Sequence, residues 1–218
     1  MREMKLEEYQ YLAGVDEAGR GPIAGPVAVG VVCVPRHLEE KVFAVFDGIK
    51  DSKQLTAGQR EMWFAKMLAE KEQGNLDFAA CLSSQAMIDE KGIVFSIRHA
   101  MKRAFTKVQP PCRRSQMRVL LDGALAAPKS FSNQITIIRG DETEKIISMA
   151  SVAAKVLRDR KMIALAKKHP EYGFEKNKGY GTLFHYQQIK KNGTCVIHRL
   201  SFLKKFYENE ENMKKGII

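Results

Sequence analysis

Cysteine is scarce and badly placed for joint chemistry. Cys33, Cys81, Cys112 and Cys195 lie far apart and form no CxxC pair, so neither a zinc ribbon nor a disulfide framework is signalled and all four read as structural thiols. Long apolar runs are also missing. The stretch from Ala24 to Val34 is short and broken by glycine and proline, too little to span a bilayer. The acidic N-terminus carries no signal-peptide pattern. A cytoplasmic chain with no membrane attachment is therefore expected. No internal repeat, low-complexity tract or Gly/Ser linker divides the sequence, which points away from solenoids, disordered tails and loosely tethered modules.

What is present fits one principal domain. The 218 residues are 44% hydrophobic and 28% charged, the composition of a folded protein with one substantial core. A monomer is expected. The formal charge of +11 favours a polyanionic partner. That charge is concentrated: from Lys155 to Ile218 there are fifteen Lys or Arg against six Asp or Glu, which leaves +2 for everything before. The C-terminal third is thus the expected electrostatic footprint.

Tyr11–Asp16 and Pro26–Val34 are rich in Val, Ala and Gly and predict two strands joined by a tight connection. Gln59–Lys71 spaces its apolar residues as a helix, and Gly74-Asn75 stops it before a strand over Asn75–Leu82. Ser83 and Ser84 are candidate caps for a helix from Gln85, which Gly92 divides from a second helix over Ile93–Lys107. Met117–Leu121 and Gln134–Ile138 are short and aliphatic, and both predict buried strands. Lys145–Lys168, free of Gly and Pro, predicts a helix whose alanines permit close packing against a sheet. Further helices are predicted near Thr182–Lys191 and Arg199–Asn209. This pattern is an α/β fold with a mixed β-sheet flanked by helices and a small basic C-terminal helical appendage. We divide it at 1–168 and 169–218, and expect the second part to contribute to substrate binding.

Four acids sit where such a sheet would expose them. Asp16 and Glu17 end the first strand and precede a turn with two glycines. Asp122 ends Met117–Leu121, and Asp141 follows Ile135–Ile138. Any one of them alone reads more readily as a turn residue, but four coordinated placements point to convergence. Phosphodiester hydrolysis at neutral pH needs a strong nucleophile and relief of charge on the phosphate, which two divalent ions supply. Mg²⁺ or Mn²⁺ suits oxygen ligands.

The stretch Gly14-Val15-Asp16-Glu17-Ala18-Gly19-Arg20-Gly21-Pro22 resembles the signature of ribonuclease HII, the type 2 ribonuclease H family. The similarity continues through Asp51-Ser52-Lys53, Leu121-Asp122-Gly123, Gly140-Asp141, Ser151–Lys155, Tyr172-Gly173-Phe174, Lys178–Thr182 and His198-Arg199. The resemblance implies a ribonuclease H-like fold in which Asp16, Glu17, Asp122 and Asp141 hold two Mn²⁺ or Mg²⁺ ions and form the catalytic centre. It implies that Gly19, Arg20 and Gly21 meet the ribonucleotide 2′-hydroxyl. It further implies that Tyr180 stacks on the following deoxyribose, and that Ser52 and Lys53 contact the nucleic-acid backbone. The expected substrates are RNA in RNA/DNA hybrids and ribonucleotide-containing duplex DNA, cut 5′ of the ribonucleotide to leave 5′-phosphate and 3′-hydroxyl ends. The chain lacks the long N-terminal extension of ribonuclease HIII and its different turn, which favours type 2. The alternatives are another ribonuclease H-like nuclease and a catalytically silent hybrid-binding protein. His185 and His198 read as structural histidines and stay outside the catalytic set.

Overall fold

Uninterrupted apolar sequence in a strand means that both faces of the sheet are covered. In the computed structural model, which describes residues 9–214 except 109 and 124 and omits the side chains of 209–214, this holds for β1 (Tyr11–Ala18) and β2 (Val27–Pro35), both almost wholly buried. The segment examined for a targeting signal lies outside the described residues. β1 and β2 are antiparallel, but residues 19–26 join them as an eight-residue excursion rather than the tight turn expected. A short helix α1 (Glu39–Val45), not foreseen from the sequence, and α2 (Ala57–Glu72) follow. α2 opens with a capping box in which Thr56 and Gln59 satisfy each other's backbone N–H groups.

β3 (Asp77–Ser83) completes an antiparallel trio. Ser84 alone caps α3 (Gln85–Lys91), while Ser83 remains in the strand and donates to the Ser96 carbonyl. Gly92, with φ of 83°, separates α3 from α4 (Ile93–Lys107) as the sequence suggests. β4 (Met117–Asp122) and β5 (Asn133–Ile137) then add parallel strands, giving a mixed sheet of order β3-β2-β1-β4-β5. β5 was expected to be buried; as the sheet edge it is half exposed, with Ile135 37% accessible.

The two faces of the sheet hold separate clusters. Ala13, Val15, Val29 and Val31 pack against Ile97, Ala100, Met101 and Ala104 of α4. Leu12, Val32 and Val34 pack with Trp63 and Met67 of α2 and with Ile146, Ile147 and Ala150 of α6 (Lys145–Ala166). α6 lies unusually near the sheet because Gly14 and Gly30 have no side chains there. A Cβ at Gly14 would stand 2.3 Å from the Ile146 carbonyl oxygen, and one at Gly30 would stand 2.2 Å from that of Ala150. Such approach needs glycine on one surface and small residues on the other, as the alanines of α6 foretold.

Between β5 and α6 the chain makes one turn of helix, α5 (Gly140–Thr143). After α6 come α7 (Phe174–Asn177), α8 (Leu183–Asn192) and α9 (Leu200–Lys214). These C-terminal elements share a third apolar cluster with Ile23 and Ala24 of the β1–β2 connection and Met162 and Ala166 of α6. No helix among the described residues is long and apolar enough to cross a membrane.

Candidate active site

The strand register decides which acids meet. Val15 pairs with Leu121 as the last rung of the parallel β1–β4 ladder, so the next residues, Asp16 and Asp122, stand side by side where that ladder ends, although β1 runs on to Ala18 against β2. Asp141 arrives differently from expectation: it lies in α5 rather than at a strand end. Its backbone N–H donates to Asp122 Oδ1 at 3.3 Å, and Ser148 Oγ fixes its carbonyl at 2.8 Å. Glu17 follows Asp16 in the chain and donates its backbone N–H to Asp16 Oδ1 at 2.7 Å. One sheet end and one helical turn thus gather all four acids.

Their electrostatics are unbalanced. Asp16 is only 2% accessible, and its Oδ2 is shut from solvent without a hydrogen-bond partner. Burial, and then the neighbouring Glu17 charge, hold its carboxyl well above the usual range. Burial also raises Glu17, against the pull of Arg20, whose Nη1 donates to Glu17 Oε1 at 3.0 Å. Asp122 is raised by burial and by the charge of Asp141. A second cation facing the group is Lys53, with Nζ 3.2 Å from Asp141 Oδ2 and 3.7 Å from Asp51 Oδ2. Burial works against the Lys53 charge, but Asp51, Asp141 and Asp16 outweigh it and hold its pKa above the ordinary lysine range.

An orphaned buried carboxylate oxygen, mutually repelling acids and a lysine standing in for a counter-charge together fit a divalent cation with oxygen ligands. Among the described residues, no three His, Cys, Asp or Glu side chains close on a common point as they stand.

The connection between β1 and β2, which includes the Gly19–Gly21 turn, is held from beneath by two fully buried arginines. Arg199 donates to the carbonyls of Gly19 (2.7 Å), Arg20 (3.0 Å) and Gly25 (2.9 Å). Arg158, on α6, donates to Pro26 (2.9 Å) and Ala24 (3.4 Å), leaving its Nη1 unpartnered. Burial, then the charge of Arg158, pull the Arg199 pKa down to about 9. A trans peptide directs its C=O and N–H to opposite sides. Carbonyls of Gly19 and Arg20 turned inward therefore turn the amides of Arg20 and Gly21 outward, as donors for a ligand. Gly19 is at φ of 91°, and a Cβ there would lie 1.9 Å from Arg158 Nε, so only glycine fits.

The other sequence-predicted residues divide. Tyr180 is 45% accessible, with the Arg158 guanidinium 5.9 Å from its ring centroid. Ser52 is turned inside, its hydroxyl 2.7 Å from that of Ser151, so in this structure it supports α6 rather than presenting itself to a phosphate. A cleft of about 450 Å³ has Lys53 and Tyr180 in its wall together with Arg60, Lys155, Arg160 and Lys176. The sequence places the excess positive charge in residues 155–218; Lys53 and Arg60 join the cleft from outside that segment, and Glu61 and Asp159 also line it. The supporting roles of Arg158 and Arg199 were missed as well, since nothing in local sequence distinguishes an inward arginine from a solvated one.

Comparison with known proteins follows the same geometry. Residues 13–205 match the family model described as ribonuclease HII. The chain is 40% identical over 207 residues to ribonuclease HII of Ruminiclostridium cellulolyticum, covering 95% of this chain and 75% of that one. It is 39% identical over 209 residues to ribonuclease HII of Fusobacterium nucleatum, covering 95% and 93%. Its fold resembles the crystal structure of ribonuclease H2 from Pyrococcus horikoshii OT3, with a TM-score of 0.67 and 29% identity over 91% of this chain and 98% of that one. A match through nearly the whole length, carried by a sheet that brings the signature acids together, shows that this chain belongs to the ribonuclease HII family.

Proposed function

We propose that this family member, an endoribonuclease of RNA in RNA/DNA hybrids and of ribonucleotides in DNA, cuts on the 5′ side of the ribonucleotide and leaves 5′-phosphate and 3′-hydroxyl ends. Ribonucleases H use divalent metal ions; the finer reading here is two ions, Mn²⁺ or Mg²⁺, held by Asp16, Glu17, Asp122 and Asp141. The observation that carries it is the buried, partnerless Oδ2 of Asp16 among acids of which Glu17 is met by Arg20 and Asp141 by Lys53. When bound, the ions supply an activated water and take up charge developing on the phosphate and leaving oxygen.

The chain's own groups do the rest. Lys53 has a side chain exposed enough to leave Asp141 for a phosphate oxygen once Asp141 has another cation. The outward amides of Arg20 and Gly21 are donors suited to a 2′-hydroxyl, which DNA lacks. Tyr180 offers a ring to the sugar on the DNA side of the junction. The basic cleft beside it, and residues 169–218 that build part of its wall, take the phosphate backbone. The test is Asp16→Asn and Asp122→Asn: both should abolish cleavage, a loss of at least about a thousandfold, with unchanged far-ultraviolet dichroism. Full activity in either variant would remove the assignment.

A further inference from the structure

His185 and His198 are buried and belong to no step above. Their hydrogen bonds nevertheless form a chain with one consistent direction. The backbone N–H of Cys195 lies 2.9 Å from His198 Nδ1. The Cys195 carbonyl oxygen and Sγ also lie near that atom, at 3.2 and 3.3 Å, but the far end of the chain decides the tautomer: the Tyr180 carbonyl can only accept, so in two neutral rings the proton of His198 is on Nε2 and its Nδ1 accepts the Cys195 N–H. His198 Nε2 is 3.0 Å from His185 Nε2 and donates to it, with the His185 proton on Nδ1. His185 Nδ1 is in turn 2.8 Å from the carbonyl oxygen of Tyr180. This oxygen also accepts the Thr182 N–H at 2.9 Å, within the capacity of a carbonyl's two lone pairs.

The surroundings suit two uncharged rings. Tyr172 meets His198 edge-on at 4.8 Å between centroids, and Phe174 meets His185 edge-on at 5.3 Å. Burial pushes both imidazoles below their ordinary range, and for His198 the neighbouring His185 adds to it. The next residue, Arg199, holds the Gly19 and Arg20 carbonyls, and its N–H donates to Ile23 at 2.8 Å. One short backbone segment is therefore tied to both the turn and the tyrosine.

We infer that His185 and His198 are positioning residues for Tyr180, and that the His198-Arg199 pair fixes the separation between the Gly19–Gly21 turn and the Tyr180 ring. The inference rests on the reading of Tyr180 as the group that meets the DNA side of the junction. Two histidines joined Nε2 to Nε2 and ending on a reader's carbonyl do more than fill a core, because either could be replaced by a packed apolar residue if filling were all that was needed. An error of about 1 Å in a positioned group costs up to a hundredfold. We therefore expect a roughly tenfold loss of selectivity when the chain is cut.

The experiment compares kcat/KM on a duplex with one RNA-to-DNA junction and on a uniform RNA/DNA hybrid, for Tyr180→Ala, His185→Leu, His185→Asn and the Tyr180→Ala/His185→Leu double variant. His185→Leu should lose junction selectivity much as Tyr180→Ala does. The double variant should be no worse than Tyr180→Ala alone, the non-additivity expected of residues acting through one another. His185→Asn, whose amide can reach the Tyr180 carbonyl, should retain most of the selectivity. Independent losses in the double variant, or normal selectivity in His185→Leu when Tyr180→Ala is impaired, would overturn the inference alone. Normal selectivity in Tyr180→Ala would remove the tyrosine's role and the inference with it. Imidazole ¹⁵N spectra of the unaltered protein at neutral pH give a test that needs no variant to fold: protons on His185 Nδ1 and His198 Nε2 are expected, and a His185 proton on Nε2 would overturn the chain.

Discussion

Asp16, in the metal-holding role proposed for it, carries a cost in stability. Its partnerless Oδ2 and raised pKa mean that, without a cation, the ionised form is disfavoured in the fold. Asp16→Asn should thus stabilise the metal-free protein by about 0.5–2 kcal/mol while abolishing cleavage. Thermal denaturation in EDTA measures this, and a lowered midpoint would count against the account. Gly19 is constrained the opposite way. Gly19→Ala would drive a Cβ into Arg158 at a left-handed φ, so a destabilisation of roughly 1–3 kcal/mol and loss of ribonucleotide recognition are expected. The histidine pair predicts a pH effect with a definite sign. His198 is pushed down to about 4 from 6.5, so between these values the unfolded chain binds more protons than the folded one. Stability should then fall as pH drops from 6.5 toward 4 and level off below that. Urea midpoints across this window, compared with those of His198→Gln, check it; an equal slope in both proteins would contradict it.

At the scale of elements, the approach of α6 to the sheet sets the level at which the acids meet. Gly30→Ala would press on the Ala150 carbonyl, a backbone atom that cannot swing away, and should cost roughly 1–3 kcal/mol in denaturant unfolding. Much of this was legible in the sequence. The five strands, the division of α3 from α4 at Gly92 and the long α6 follow from periodicity and breakers. The misses have local physical causes. α1 is only seven residues long, too short for a periodic apolar face to declare itself. β5 reads as buried because Ile135, Thr136 and Ile137 are β-branched, yet edge position is a property of sheet order, which no segment carries by itself. Asp141 reads as a strand-end residue because the single turn of α5 cannot be told from an Arg-Gly-Asp loop; Arg139 enters it at a left-handed φ of 56°, unusual for a residue with a side chain.

For the whole molecule, the cleft joins Lys53 and Arg60 to Lys155, Arg160 and Lys176 of the basic C-terminal third, with Glu61 and Asp159 also in its wall. Phosphate contacts release counterions, so duplex binding should weaken steeply with salt. Lys176→Ala should lower the log–log slope by roughly one and affect all duplexes alike; a sequence- or sugar-dependent effect would place it elsewhere. The acids and the glycine turn were visible in the chain as a signature. Their supports, Arg158, Arg199 and the histidine pair, were not, because they act through contacts more than a hundred residues away or through ring tautomers that only coordinates define. Whether this chain is a metal-dependent nuclease that reads a ribonucleotide is decided by a labelled DNA duplex carrying one ribonucleotide, set beside an all-DNA duplex, with Mg²⁺, Mn²⁺ or EDTA. A metal-dependent cut on the 5′ side of the ribonucleotide, with the all-DNA duplex intact, is the predicted result. Equal cutting of both duplexes, or none in either metal, would contradict it.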